Sequence, residues 1–320
     1  MNVRRAIQSI FPLMLIAFSS PAETELAHAT ALKGDLPKFT LTDRLFPAPK
    51  DYFDKGVRTK ALKYYAKAEP LKLLDYKIGD QTAHVHIPAD YDEAQGKEWG
   101  LLLFLSPHDE GGDVLEVFKD ALRKQKLIFA APNNAGNERL VPLRVALLLD
   151  TFATMRKNLK FNSSRVYVGG LSGGATPAAL AAILYPECFK GCLSFANGLA
   201  IENVKTGVKN QIIPSMIPYF TRQDFVDLAK RKLRFAFVTG EKDMNHKPIL
   251  LTGATWKSSG LDFRIFDVPG LTHTLPPPNV FAPIFDDVLS WIDGKEVKGY
   301  EPRYEMYGIG STVGPGRKKL

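Results

Sequence analysis

The sequence has only two cysteines in 320 residues, no interdomain linker and no apolar run long enough to cross a bilayer. Its longest N-terminal apolar run covers only residues 10–18, which is too short for a transmembrane helix. No Pro/Gly/Ser-rich stretch divides the middle, and no internal repeat or low-complexity block is present. At 45% hydrophobic and 24% charged residues, the composition is globular, so we expect one sizeable domain.

The chain also lacks a basic stripe with interleaved aromatic residues, which nucleic-acid binding would require. The formal charge is +8, but it is spread along the chain, and only residues 317–319 form a basic run. Residues 310–319 are Gly-rich, yet they lack the Gly-Lys-Ser/Thr order of a phosphate loop and follow no predicted strand. These patterns predict no nucleic-acid partner and no nucleotide site.

Residues 1–22 have the pattern of a secretory signal peptide. Arg4 and Arg5 precede the apolar run, and the small residues 20–22 or 27–29 offer a cleavage site. The alternative is an N-terminal membrane anchor. We expect an exported protein, periplasmic or secreted, with no membrane insertion after processing.

Apolar runs and amphipathic segments alternate along most of the chain, which predicts an α/β fold with a doubly wound, mostly parallel sheet. Predicted strands are 71–78, 82–88, 100–105, 127–131, 166–168, 192–196, 234–239 and 262–268, and predicted helices are 113–125, 139–159, 175–184, 248–258 and 280–293. Residues 23–70 form an N-terminal extension with a possible helix at 52–68. The domain covers 71–293, and 294–320 form a polar tail.

Residues 170–174 read Gly-Leu-Ser-Gly-Gly, the G-x-S-x-G pattern, between a predicted strand and a predicted helix. A sharp strand-to-helix turn forces strained backbone angles on its corner residue, so small neighbours are needed there. The corner side chain, Ser172, then projects at the carboxyl end of the sheet as a nucleophile would. Without its flanking elements the pattern is equally compatible with an ordinary Gly-rich turn.

A serine nucleophile needs a base, and the base needs a carboxylate to orient it. Asp243 follows one predicted strand and His273 follows the next, so the order is Ser, Asp, His. Competing residues are the acids Glu241, Asp262 and Asp267 and the alternative base His246. A separate pair, His84 and His86, shares one strand face and could bind a metal, but without a third ligand an ordinary strand face is favoured.

The chain resembles the serine hydrolases of the α/β-hydrolase fold, and more narrowly the secreted esterases grouped with polyhydroxybutyrate depolymerases and feruloyl esterases. The resemblance spans about 71–293 and is carried by the motifs at 166–174, 237–243 and 268–273. It implies Ser172 as nucleophile, Asp243 as acid and His273 as base, with no cofactor and no metal.

The resemblance also implies two oxyanion donors, the backbone N–H groups of Gly173 and His108. The second departs from the family pattern, because the turn reads Ser-Pro-His where the family usually has His-Gly. Pro107 has no N–H to donate, so His108 is the donor by position only. The activity level depends on this turn, since losing one donor costs about 100- to 1000-fold in rate.

The long excursion 197–232 holds the apolar and aromatic segment 212–220, which we expect either to shape a pocket beside Ser172 or to connect two strands. The sequence therefore predicts an exported serine esterase acting on a small-molecule or polymeric ester. The alternatives are a prolyl-oligopeptidase-like peptidase and a non-catalytic binding protein on the same fold. Cys188 and Cys192 are expected to form a local disulfide, the alternative being a pair of small buried thiols, and the oligomeric state is left open.

Overall fold

The computed structural model describes residues 32–66 and 74–307. The signal-peptide prediction at 1–22, its alternative cleavage site at 27–29, and the Gly-rich and basic runs at 310–319 lie outside these residues. No helix within the described ranges is both long and apolar enough to cross a bilayer.

The central sheet has eight strands in the order β1-β2-β4-β3-β5-β6-β9-β10. The strands of the chain are β1 (Gly34–Thr40), β2 (Thr82–Ile87), β3 (Gly100–Leu105), β4 (Leu127–Pro132), β5 (Val166–Leu171), β6 (Gly191–Phe195), β7 (Val204–Lys205), β8 (Ile212–Ile213), β9 (Arg234–Thr239) and β10 (Asp262–Asp267). β1 and β2 pair antiparallel, and the six strands from β4 to β10 in the sheet pair in parallel. β7 and β8 form a separate small hairpin.

Helices cover both faces of this sheet, which confirms the predicted α/β class with a doubly wound, mostly parallel sheet. They are α1 (Gly56–Ala66), α2 (Leu115–Lys124), α3 (Val141–Asn158), α4 (Ala175–Leu184), α5 (Arg222–Ala229), α6 (His246–Ser259) and α7 (Pro278–Ile292). One apolar core packs α1, α3, α4 and α6 against one face, and a second packs α2 and α7 against the other. Strands β3 and β4 are fully buried, as expected for strands covered on both sides.

The opening hairpin differs from the prediction. The second predicted strand matches β2, but the first, placed at 71–78, is not a strand over its described part. Residues 74–77 run irregularly, and Ile78–Asp80 form one turn of 3-10 helix. The partner of β2 is instead β1, from the N-terminal extension. The domain limits drawn from the sequence stay a prediction.

The predicted disulfide is wrong, because both thiols are free. Cys192 lies in β6 and is fully buried, with β5 and β9 paired on either side of it. Cys188 lies in the turn that precedes β6. Burial raises the pKa of each thiol to about 12, so both stay in the protonated, unreactive form at neutral pH.

Candidate active site

Ser172 lies at the corner between β5 and α4, as the motif predicts. Its backbone φ is +51°, the left-handed region that non-glycine residues rarely adopt. The glycines on either side permit this turn. A Cβ at Gly174 would lie 1.9 Å from the Leu105 carbonyl oxygen, and one at Gly170 would lie 2.3 Å from the Gly174 carbonyl oxygen. Side chains at these two positions would therefore collide with the backbone.

The structure brings Ser172, His273 and Asp243 together. The Ser172 Oγ lies 2.8 Å from His273 Nε2, and His273 Nδ1 lies 2.7 Å from Asp243 Oδ1. The Asp243 side chain is fully buried, while that of His273 keeps 23% of its surface exposed. Proton transfer from the hydroxyl to Nε2, with Nδ1–H held by a carboxylate, is the chemistry such a chain of contacts can perform.

Asp243 is oriented by three donors in addition to its place after β9. Its Oδ2 accepts the Thr239 hydroxyl at 2.9 Å, and its Oδ1 accepts the Asn245 N–H at 2.8 Å as well as His273. The Lys242 N–H donates to the Leu271 carbonyl, so the loop after β9 is bonded to the loop after β10. This pairing holds the acid and the base at a fixed separation.

The competing residues have other partners. Asp267 bonds to Arg303 and lies 3.0 Å from His246 Nε2. Glu241 pairs with the same Arg303. Asp262 lies 3.8 Å from Arg234 at the opposite end of the strand. None of these carboxylates contacts His273.

The two histidines of β2 also have separate environments. His86 Nδ1 lies 2.5 Å from the Asp35 carboxylate, whereas the His84 ring packs against Gly112. Within 32–66 and 74–307 no group of three or more His, Cys, Asp and Glu side chains is arranged to hold a metal.

The turn after β3 does not present the His108 N–H freely. That N–H donates to the Ser106 hydroxyl at 2.9 Å, and the hydroxyl donates to Asp113 at 2.8 Å. Gly173, the other predicted donor, follows Ser172 in the first turn leading into α4. Negative charge near this backbone N–H is favoured by the helix N-terminus.

Sequence reasoning missed several polar side chains around the site. Asn197 donates to the Ser172 carbonyl at 3.1 Å, and Asn245 donates to the Ala196 carbonyl at 3.0 Å. Asn137 and Arg144 lie beside Gly173. Only Arg144 carried a sequence signal, because it is the one charged residue in the otherwise apolar run from Leu140 to Leu149.

Two residues of the excursion contact the site: Asn197, which donates to the Ser172 carbonyl, and Met216. The Met216 sulfur lies 3.9 Å from Thr176 Oγ1 in the first turn of α4. Ile212 is 54% exposed on β8, and Ile217 is buried. Ile217 and Phe220 line a cavity of about 680 Å³ that also contacts Ser259. The sequence left open whether the segment 212–220 shapes a pocket beside Ser172 or connects two strands. Met216 contacts the first turn of α4, and a pocket role for the segment stays a prediction.

Comparison with known proteins gives structural matches only. No protein-family model and no curated protein sequence matches the chain. The fluorophosphonate-binding serine hydrolase FphF of Staphylococcus aureus matches with a TM-score of 0.50 at 13% identity, covering 66% of this chain and 92% of its own. The chain has the α/β-hydrolase fold.

Two further structures are similar at lower scores. Est1E from Butyrivibrio proteoclasticus has a TM-score of 0.47 at 12% identity, covering 67% of this chain and 95% of its own. The hyperthermophilic esterase of the archaeon Pyrobaculum calidifontis has a TM-score of 0.48 at 15% identity, covering 76% of this chain and 97% of its own. At these identities the likeness is one of fold.

Proposed function

We propose that this protein is a serine hydrolase that cleaves carboxylic esters through an acyl-enzyme. The observation that carries the proposal is the continuous chain of contacts from Ser172 through His273 to Asp243, with separations of 2.8 and 2.7 Å. A hydroxyl, an imidazole and a buried carboxylate in this order form an activated nucleophile. The fluorophosphonate binding in the name of FphF agrees with this proposal.

In this mechanism Ser172 Oγ attacks the ester carbonyl carbon while His273 Nε2 accepts the hydroxyl proton. Asp243 holds Nδ1–H and stabilises the imidazolium that forms. The Gly173 N–H, which follows the nucleophile in the chain, donates to the developing oxyanion. Collapse of the tetrahedral intermediate transfers the Nε2 proton to the leaving alcohol. Water then attacks the acyl-enzyme with His273 again as base, which releases the acid and restores Ser172.

A fluorophosphonate probe tests the nucleophile directly. Wild-type protein should be labelled, and Ser172→Ala should not, because the probe bonds to the activated oxygen. Ser164→Ala is a matched control, since Ser164 is an exposed hydroxyl outside the site. An unlabelled wild type would leave the non-catalytic binding protein as the better description.

The substrate is proposed as a short-chain acyl or aryl ester. Met216 beside Thr176 offers an apolar contact near the nucleophile, and an apolar pocket disfavours strongly anionic esters. Acetyl, butyryl, octanoyl and feruloyl esters, with a peptide amide as control, form the test panel. We expect the short esters to be cleaved fastest. Faster cleavage of the amide would favour the peptidase alternative instead.

The narrower assignment to the polyhydroxybutyrate depolymerase and feruloyl esterase group stays a prediction, as does export. Export is supported by the residue pattern of 1–22 alone. Cell fractionation followed by N-terminal sequencing should find the mature chain outside the cytoplasm, beginning after residue 22 or 29. An intact N-terminus in the cytoplasm would contradict export.

A further inference from the structure

A buried guanidinium lies directly beneath the candidate active site. Arg144, in the first turn of α3, is only 3% exposed. It donates to the carbonyls of Ala135 at 2.6 Å, Ser106 at 2.9 Å and Gly173 at 2.9 Å. These carbonyls belong to the loop after β4, the turn after β3 and the corner that follows Ser172. One side chain therefore joins the three segments that surround the expected oxyanion position.

The same guanidinium also orients Asn137. Arg144 donates to Asn137 Oδ1 at 3.2 Å, and the Asn137 N–H donates to the Pro107 carbonyl at 2.8 Å. An amide whose oxygen is held in this way offers Nδ2–H as its donor. No described residue accepts a hydrogen bond from Nδ2, and Asn137 is an exposed residue. The Nδ2–H group is thus available to a bound molecule.

The Asn137 amide contacts Gly173, the residue with the first oxyanion donor. A Cβ at Gly173 would lie 2.0 Å from Asn137 Oδ1 and 2.6 Å from Nδ2. Only glycine leaves room for the amide at this place. The amide therefore lies against the backbone of Gly173, the residue expected to supply the first oxyanion donor.

The second donor that the sequence predicts, the His108 N–H, is bonded elsewhere. Pro107 has no N–H, and the His108 N–H donates to the Ser106 hydroxyl at 2.9 Å. A side-chain amide can take the role of a backbone donor, and removing one such donor costs about 100- to 1000-fold in kcat.

We propose that Asn137 supplies the second oxyanion donor, through Nδ2–H, and that Arg144 is the residue that positions it. This inference rests on the proposed function. When the Ser172 oxygen bonds to the carbonyl carbon, the π electrons move to the carbonyl oxygen, and Gly173 N–H and Asn137 Nδ2–H donate to it. When the carbonyl re-forms, both bonds weaken and the alcohol leaves with the proton from His273.

The charge of Arg144 acts in the same direction. Burial lowers the pKa of its guanidinium to about 10, so it stays positive at neutral pH. The ion pairs described include no carboxylate within 4 Å of it. A positive charge in a low-dielectric place favours the anionic intermediate over the neutral ester.

Three variants of the loop after β4 test the role of Asn137. Asn137→Ala should lower kcat about 100- to 1000-fold with KM and the melting temperature nearly unchanged. Asn137→Asp keeps the shape and pairs better with Arg144, but its carboxylate offers no donor. It should therefore lose at least as much kcat while keeping its stability. Glu138→Ala, the exposed neighbour, is the matched control and should retain wild-type kinetics.

A structural role for Asn137 predicts the opposite result for the Asp variant, which would then be stable and active. Retention of wild-type kcat within about fivefold in Asn137→Ala or Asn137→Asp, with a labelled and active wild type, would overturn the inference but leave the proposed function standing. A wild type that neither cleaves esters nor is labelled would overturn both.

Arg144→Lys tests the positioning role without removing the charge. If Arg144 acts through Asn137, the Arg144→Lys substitution should lower kcat less in the Asn137→Ala variant than in the wild type. If the losses of activation free energy from the two single substitutions added fully in the double variant, the positioning role of Arg144 would be contradicted. Should Arg144→Lys fail to fold, the Asn137 variants still decide the proposal.

Discussion

Ser172 has a left-handed backbone at +51°, which costs of order 1–3 kcal/mol for a non-glycine residue. This strain persists because the backbone around it is tightly packed. Gly170 and Gly174 leave no space for a Cβ, so the turn has few other ways to pass from strand to helix. The residue pattern Gly-x-Ser-x-Gly predicts this geometry because the requirement for small residues is local.

The acid of the site is tested by exchanging carboxylates for amides. Asp243→Asn should lower kcat by about four orders of magnitude and leave the fold intact, because an amide stabilises the wrong histidine tautomer. Asp267→Asn should leave kcat nearly unchanged, since Asp267 bonds to Arg303 and lies near His246. Kinetics and melting curves of both variants provide the measurement. Near-normal turnover in Asp243→Asn, with loss in Asp267→Asn, would show that the other carboxylate is the acid.

Arg144 and Asn137 could not be assigned from the sequence in the same way. Arg144 donates to carbonyls at Ser106 and Gly173, which lie 38 and 29 positions away along the chain. Their approach depends on the order of β3, β4 and β5 in the sheet. The proximity of Ser172, Asp243 and His273 was predictable because each lies in the turn or loop after a strand, and the carboxyl ends of parallel strands meet.

At the scale of elements, β3 and β9 match their predicted bounds, and so does α4. Their residues form continuous apolar runs between turn residues, the pattern of strands and helices buried on all sides. β1 was missed because Gly34–Thr40 contains a proline and two charged residues, and only Gly34, Leu36 and Phe39 are half-buried while the other positions are exposed. Edge strands of this kind are set by pairing with a neighbour rather than by their own composition.

The excursion also contains elements that its sequence does not indicate. α5 is eight residues long, and β7 and β8 have two residues each. Elements this short have too few positions for a period to emerge. Their structure depends on contacts such as that of Ser215, whose N–H is bonded to Asn203 and whose hydroxyl is bonded to the Ile201 carbonyl.

At the scale of the whole molecule, segments outside the predicted domain limits complete the sheet. The C-terminal segment bonds to β10, the edge strand. Arg264 donates to the carbonyls of Val297 and Gly299, and the Asp267 N–H donates to the Tyr300 carbonyl. A covered edge is protected from pairing with another chain.

The N-terminal segment is attached through a buried polar cluster at Asp150, on α3. The Asp150 carboxylate accepts hydrogen bonds from the Tyr52 and Tyr76 hydroxyls and from Arg44. Its side chain is fully buried. Burial raises its pKa from 3.8 to about 6, although the hydrogen bonds from Tyr52 and Tyr76 oppose the shift. The folded protein therefore binds this proton more tightly than the unfolded chain does.

The sign of the resulting pH dependence follows from linkage. Because its pKa is raised on folding, the Asp150 carboxyl group stabilises the folded protein below pH 4. That contribution is lost as pH rises through about 6. This contribution to the free energy of unfolding is at most about 3 kcal/mol, because one pKa unit corresponds to about 1.36 kcal/mol. Asp150→Asn cannot titrate, so wild type should lose stability relative to this variant between pH 4 and 6. Urea unfolding of both proteins across this range measures the difference.

Asp43, which bonds to Lys157 on the same helix, is the control of opposite sign. Its pKa is lowered by the hydrogen bonds of Thr42 and Lys157 in spite of partial burial, so its contribution is present above pH 4 and is lost as pH falls. As pH falls, the free energy of unfolding of Asp43→Asn should therefore approach that of wild type. The free energy of unfolding of Asp150→Asn should instead fall further below that of wild type. A difference between wild type and Asp150→Asn that stays constant from pH 4 to 6 would show that Asp150 is ionised throughout. Arg44 and the two tyrosines would then outweigh the effect of burial in attaching the N-terminal segment.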